Sequence, residues 1–199
     1  ARTASWNDTD IADLLQEDED NSGIRFRLKC LNETMRPLRG GDSLIVAARP
    51  DKGKTTFMSS EMTFMAKQLA PEKNIVWLNN EGMSKTIVKR LYQSALGLPM
   101  REVVELNKQG KLKGMYSKAV GRLDRIRVFD IHGMHVGQVE AIIEQSNPGV
   151  IVYDMIDNIR GFGNEARTDL QLEKMYQWAR ERGVKYDAVS IATSQISSE

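Results

Sequence analysis

The stretch Ala48-Arg49-Pro50-Asp51-Lys52-Gly53-Lys54-Thr55-Thr56 constrains this chain more than any other. It follows the apolar run Leu44-Ile45-Val46-Ala47 and opens an amphipathic stretch that begins at Phe57. Strand, glycine-bearing turn and helix, in that order, form the setting of a phosphate-binding loop. There, successive backbone N–H groups and a helix start face the anion, a lysine reaches the outer phosphates and a hydroxyl sits where Mg2+ is held. On this reading Arg49, Pro50, Asp51, Lys52, Gly53, Lys54, Thr55 and Thr56 bind ATP or another nucleoside triphosphate. Lys54 bridges the outer phosphates and Thr55 is a metal ligand. The general pattern begins with glycine, and Ala48 departs from it.

What surrounds the loop sets the fold class. Apolar runs rich in β-branched residues recur at 43–48, 75–79, 126–131, 150–156 and 188–194, with helical patterns between them. Met58, Met62, Met65 and Leu69 form one stripe after the loop. Residues 86–96 place Ile87, Val88, Leu91, Tyr92 and Ala95 at similar spacing, and 136–145 and 168–182 read as two more helices, with Leu172, Met175, Tyr176 and Ala179 inward in the latter. Gly97-Leu98-Pro99 and Asn147-Pro148-Gly149 are breaks. Strands apolar along their whole length and alternating with helices predict an α/β fold, a mostly parallel sheet flanked by helices on both faces. Ligands of such sheets sit beyond the carboxyl ends of the strands.

Three further strand ends carry polar groups. Gly149-Val150-Ile151-Val152-Tyr153-Asp154 ends in a carboxylate placed to hold the Mg2+ shell beside Thr55, with Asp157 one turn further on as the weaker choice. Ile75-Val76-Trp77-Leu78-Asn79-Asn80-Glu81 ends in a carboxylate suited to act as general base on an attacking water. Ser190-Ile191-Ala192-Thr193-Ser194-Gln195 ends in an amide that can contact a γ-phosphate and report its loss. His132 and His135 lack the further ligands that a metal site requires.

Taken in order, these residues resemble the motor domain of DnaB-type replicative helicases and their phage primase–helicase relatives. The carriers are the Ala-Arg-Pro-x-x-Gly-Lys-Thr loop at 48–55, the glutamate ahead of Met83-Ser84, the Asp154 strand and the Ser194-Gln195 strand end. Arg39-Gly40-Gly41-Asp42-Ser43-Leu44 and Arg122-Leu123 add to them, so the likeness covers roughly residues 28–199. Ala48 is the family's own usage. The resemblance implies a RecA-like P-loop NTPase core in which Lys54 and Thr55 take the phosphate and metal roles, Glu81 is the catalytic base, Asp154 the metal-shell carboxylate and Gln195 the sensor. It also implies a ring, hexameric in this family, that moves on single-stranded DNA, with primase among its partners. The stretch from Asp157 to Arg167 corresponds to a loop lining the central pore, where Arg160, Asn164 and Arg167 would contact DNA. The family's second pore loop and the basic finger that reaches a neighbour's nucleotide would follow Gln195, so the motor reads as C-terminally incomplete. One departure stands out: the family runs Glu-Met-Ser, whereas Gly82 is inserted here, and an added glycine is expected to loosen the backbone beside Glu81. A recombinase or helicase loader shares the RecA-type elements but generally lacks the Ala-Arg-Pro form of the loop. A nucleotide-gated assembly module with little catalysis is the other alternative.

Charge divides the chain. Residues 1–23 carry Asp8, Asp10, Asp13, Glu17, Asp18, Glu19 and Asp20 against Arg2, whereas the whole chain has a net charge of +1. An acidic linker, in which Ile11, Leu14 and Leu15 share a helical face able to dock on a neighbouring subunit, therefore precedes a mildly basic domain over 24–199, suited to a polyanion. The single cysteine, Cys30, forbids an intrachain disulfide and reads as a small, partly buried side chain in a reducing compartment. No apolar stretch approaches the roughly 20 residues that span a bilayer, and the family works in the cytoplasm of a bacterium or a phage-infected host.

Overall fold

Each apolar run forms a strand, and all of the strands pair in parallel. The computed structural model describes residue 15, residues 21–162 and residues 168–196. β1 is Ser43–Ala48, β2 Asn74–Asn79, β3 Ile126–Asp130, β4 Pro148–Asp154 and β5 Val189–Gln195, and they line up as β1-β5-β4-β2-β3. The central strands β2 and β4 are buried at every position, as a parallel sheet covered on both sides requires.

Alternation along those strands divides the core in two. Ile75, Trp77, Val150 and Val152 face one layer, where they meet Met58, Met62 and Met65 of α2 (Lys54–Met65) and Ile87 and Leu91 of α3 (Ser84–Leu96). Val76, Leu78, Ile151 and Tyr153 face the other, against Val139 and Ile143 of α6 (Val136–Gln145) and Met175 and Ala179 of α7 (Thr168–Tyr186). Here α1 is Lys29–Thr34, α4 Met100–Lys108 and α5 Leu112–Val120. Successive side chains point to opposite faces, so one apolar run supplies both cores.

Several expectations shift. The methionine stripe is core, but α2 ends at Met65 and a 3-10 turn, Ala66–Gln68, carries the chain to Leu69. α2 begins at Lys54 rather than at Phe57, because Gly53, at φ 86°, turns the chain straight into the helix. β4 stops at Asp154, since Met155 takes a left-handed conformation (φ 60°) and Ile156–Asn158 form a 3-10 turn. Val88, expected inward, is 39% exposed, whereas Ile87 is 2% exposed. Cys30 is exposed, on a helix that buries none of its residues. Apart from Leu15, the proposed docking helix of the acidic segment lies outside the described residues.

Large-to-small changes in a packed layer cost transfer and cavity energy together. Ile87→Ala should lower the unfolding free energy by about 2–4 kcal/mol, and Val88→Ala by about 0.5 kcal/mol or less. Denaturant unfolding of the two variants checks the facing of α3; equal losses would contradict it.

Candidate nucleotide-binding site

Register brings the four polar strand ends together. Ala48 lies beside Gln195 in the β1–β5 pair, and Asn79 beside Asp154 in the β2–β4 pair. Because β1, β5, β4 and β2 are neighbours in the sheet, everything that follows them opens on one edge.

The loop after β1 wraps a cavity of about 260 Å³ lined by Arg49, Pro50, Asp51, Gly53, Lys54, Thr55, Thr56, Glu81, Arg90 and Gln195. Of the predicted binding residues, Lys52 alone in the loop does not line it. Lys54 Nζ lies 3.6 Å from Glu81 Oε2 and donates to Met155 Sδ at 2.9 Å. The lysine side chain is 9% exposed and that of Glu81 50%, so the cation is fixed and the carboxylate is open to water. That is the arrangement needed where a lysine meets outer phosphates and a base meets water.

Asp154 sits beneath this cavity rather than on its wall and is 2% exposed. Thr193 Oγ1 donates to its Oδ1 at 2.8 Å and Trp77 Nε1 to its Oδ2 at 3.2 Å. Burial pushes the Asp154 carboxyl above its ordinary range; the hydrogen bonds from Thr193 and Trp77 oppose this, the Glu81 charge adds to it and Lys54 lowers it. Among the described residues no three His, Cys, Asp or Glu side chains gather as a metal cage. One hydroxyl, Thr55, and one carboxylate, Asp154, match instead the sparse donor set of Mg2+, which completes its shell with water and substrate phosphates. Asp157 accepts from Ser194 Oγ at 3.1 Å, in the turn after β4.

The Glu81 loop is held tightly. Glu81 N donates to Asn79 Oδ1 at 3.3 Å, and Gly82, at φ 67°, presents its carbonyl to Asn79 Nδ2 at 3.1 Å and His132 Nε2 at 2.7 Å. The inserted glycine is thus pinned, contrary to the expected loosening. Asp130, at the end of β3, accepts from Asn79 Nδ2 at 2.7 Å and from Ser84 Oγ at 2.8 Å, which fixes the start of α3. His135 caps α6 rather than serving a metal, accepting from Gly137 N through Nδ1.

Arg90 is the lining residue that sequence reading missed. It lies on α3, nine positions after Glu81, in a stretch read only for its apolar spacing. Among the described residues its guanidinium has no hydrogen bond or ion pair. Arg160 is exposed and its carbonyl accepts from Val136 N at 2.9 Å; Asn164 and Arg167 lie outside the described residues. A larger groove of about 890 Å³ runs between Ser43 and Ile45 on the outer edge of β1 and Leu172 and Tyr176 of α7, away from the loop. None of the residues that line the smaller cavity lines this groove. Among the described residues no helix is long and apolar enough to cross a membrane.

A five-stranded parallel sheet with helices on both faces, a glycine-bearing turn into a helix after β1 and polar groups at the neighbouring strand ends is the RecA-like fold. A family model described as an AAA domain matches residues 11–198, and the chain belongs to that family. It is 20% identical over 187 residues to the replicative DNA helicase DnaB of Mycoplasma genitalium, covering 88% of this chain and 39% of the relative's length. Among solved structures it resembles a DnaB-like replicative helicase described with its interactions with primase, at 20% identity and a TM-score of 0.72, over 94% of this chain and 47% of that one. It also resembles the ATPase domain of G40P, at 21% identity and a TM-score of 0.71, over 94% of this chain and 70% of that one. These likenesses bear out the resemblance to DnaB-type motor domains.

The hydrogen bond from Asn79, more than those from Ser84, holds the Asp130 carboxyl below its ordinary range despite some desolvation. A carboxyl depressed in the folded state contributes stability above its unfolded value, near 3.9, and loses it as pH falls through the folded value. Asp130→Ala should therefore lower the thermal midpoint at pH 7 by about 2–4 °C. The gap from wild type should close as pH drops below about 4. A gap of the same size at pH 7 and pH 3 would show that the charge does not carry the contact.

Proposed function

We propose that this chain is the motor domain of a ring-forming replicative DNA helicase, which hydrolyses ATP or another nucleoside triphosphate to move on single-stranded DNA and unwind duplex. The observation that carries this reading is the meeting of Lys54, Glu81 and Gln195 around one cavity of about 260 Å³. The likeness to a replicative DNA helicase supports DNA as the polymer on which hydrolysis acts.

The chemistry follows from the wall residues. Backbone N–H groups at 53–55 and the start of α2 attract the phosphates, and Lys54 adds a full charge at their outer end. Glu81 takes the proton of the water that attacks the γ-phosphate, and the exposure of its carboxylate gives that water access. Gln195, at the tip of β5, contacts the γ-phosphate and senses its departure. Arg49 and Arg90 add two further cations to the lining of the cavity. Thr55 and, through water, Asp154 would hold Mg2+, which neutralises phosphate charge when bound. Arg160, Asn164 and Arg167 serve sequence-blind contact with the DNA backbone. The acidic segment 1–23 docks on a neighbouring subunit of a hexamer, primase is a replisome partner, and the work takes place in the cytoplasm.

Glu81→Gln separates a motor from a nucleotide-gated module. In the full-length protein with single-stranded DNA, this variant should lose about 10²–10⁴-fold in turnover while keeping nucleotide affinity within a few fold. Lys54→Ala should instead weaken nucleotide binding by about tenfold or more. Wild-type turnover in the Glu81 variant, or no measurable hydrolysis by the full-length protein with and without DNA, would defeat the proposal.

A further inference from the structure

Two parts of the site meet through a short loop that the chemistry above does not use. It is Ile131-His132-Gly133-Met134-His135, between β3 and α6. At one end it touches the strand end that carries Glu81. Ile131 N donates to Asn79 O at 2.9 Å, and His132 Nε2 donates to Gly82 O at 2.7 Å. A carbonyl can only accept, so the His132 Nε2 bears a proton in this contact. At the other end the loop touches the segment that leads into the DNA-contact residues. Val136 N donates to Arg160 O at 2.9 Å, and His135 and Arg160 form a parallel bridge. Gly161 lies flat against the His135 ring: a Cβ there would come within 2.4 Å of Nε2, and its φ of 106° also suits glycine alone.

Between these ends the loop has little freedom. Met134 N closes a turn on Ile131 O at 3.0 Å, and Gly133 sits at φ 72°. His135 N donates to Gln138 Oε1 at 2.9 Å, which ties the loop to α6. A displacement of Arg160 and Gly161 is therefore passed along a tight turn rather than absorbed. One contact runs alongside it, Asn158 Nδ2 to Asn80 O at 3.4 Å.

We propose that His132 is a positioning residue for hydrolysis, and that the β3–α6 loop carrying it couples the Arg160–Gly161 backbone to the setting of Glu81. The His132 imidazole is exposed and fills no core space, yet it grips the carbonyl next to the base. The inserted Gly82 gives that carbonyl its direction. Nucleic acid bound at Arg160 would then act on turnover through the base and not through nucleotide affinity. The proposal rests on the reading of Glu81 as base and Arg160 as a DNA contact.

The test uses the full-length protein at saturating single-stranded DNA. His132→Ala should lower DNA-stimulated kcat by about tenfold, since displacement of a reacting group is costly, with the KM for ATP and the thermal midpoint little changed. His132→Gln should recover most of the loss, because its amide can donate to the same carbonyl. Gly161→Ala should lose the same stimulation, and the double variant should be no worse than the poorer single one, since both break one linkage. Wild-type stimulation in His132→Ala, no rescue by His132→Gln, or additive losses would overturn the proposal. Glu81→Gln measured beside them tells the two levels apart. If it turns over normally, the base assignment falls and the coupling with it; if it is inactive while His132→Ala is normal, only the coupling falls.

Discussion

Parallel pairing of β1, β5, β4 and β2 is the constraint on which everything else in this molecule depends. It sends four carboxyl ends to one edge of the sheet. The phosphate loop, Glu81, Asp154 and Gln195 stand near one another only because their strands run the same way. Burial on both faces is what makes the arrangement hold: Trp77 and Tyr153 are fully buried, in opposite layers. Trp77 also donates to Asp154, so a core side chain helps to fix the carboxylate beneath the cavity.

Within that edge the charges are held to different degrees. Lys54 is enclosed and Glu81 is open to water, while Asp154 is enclosed and held by two neutral donors. A buried carboxylate with few compensating charges favours a nearby cation, which suits the metal-shell role proposed for it. A half-open carboxylate keeps access to water, which suits the role proposed for Glu81. Two carboxylates on one edge thus suit different proposed tasks because their surroundings differ.

Much of this was legible in the residues, for physical reasons. A strand buried on both faces must be apolar along its length, so β2 and β4 announced themselves. The edge strands β1 and β3 are only partly covered and were read from their β-branched runs, and the alternation with helices implied the parallel sheet. The strand–turn–helix at 48–56 was legible because a glycine between an apolar run and a helical pattern marks a tight turn. α4 and α5 were not, since each spans nine residues and buries few of them. Arg90 was hidden on a helix whose apolar spacing drew the reading to its other face. The brace of Asn79, Asp130 and His132 was hidden for another reason: it joins residues up to 51 positions apart, which only strand order brings together. Gly82 showed as an insertion, but the sequence carried no sign that two donors would hold its carbonyl.

The central proposal is that these strand ends form a single nucleotide site. A crystal structure with a non-hydrolysable nucleoside triphosphate and Mg2+ tests it most directly. The account predicts outer phosphates over the backbone at 53–55, with Lys54 on them and Glu81 and Gln195 flanking the γ-phosphate. A nucleotide seated in the groove between β1 and α7, or one whose γ-phosphate lies out of reach of Glu81 and Gln195, would contradict it.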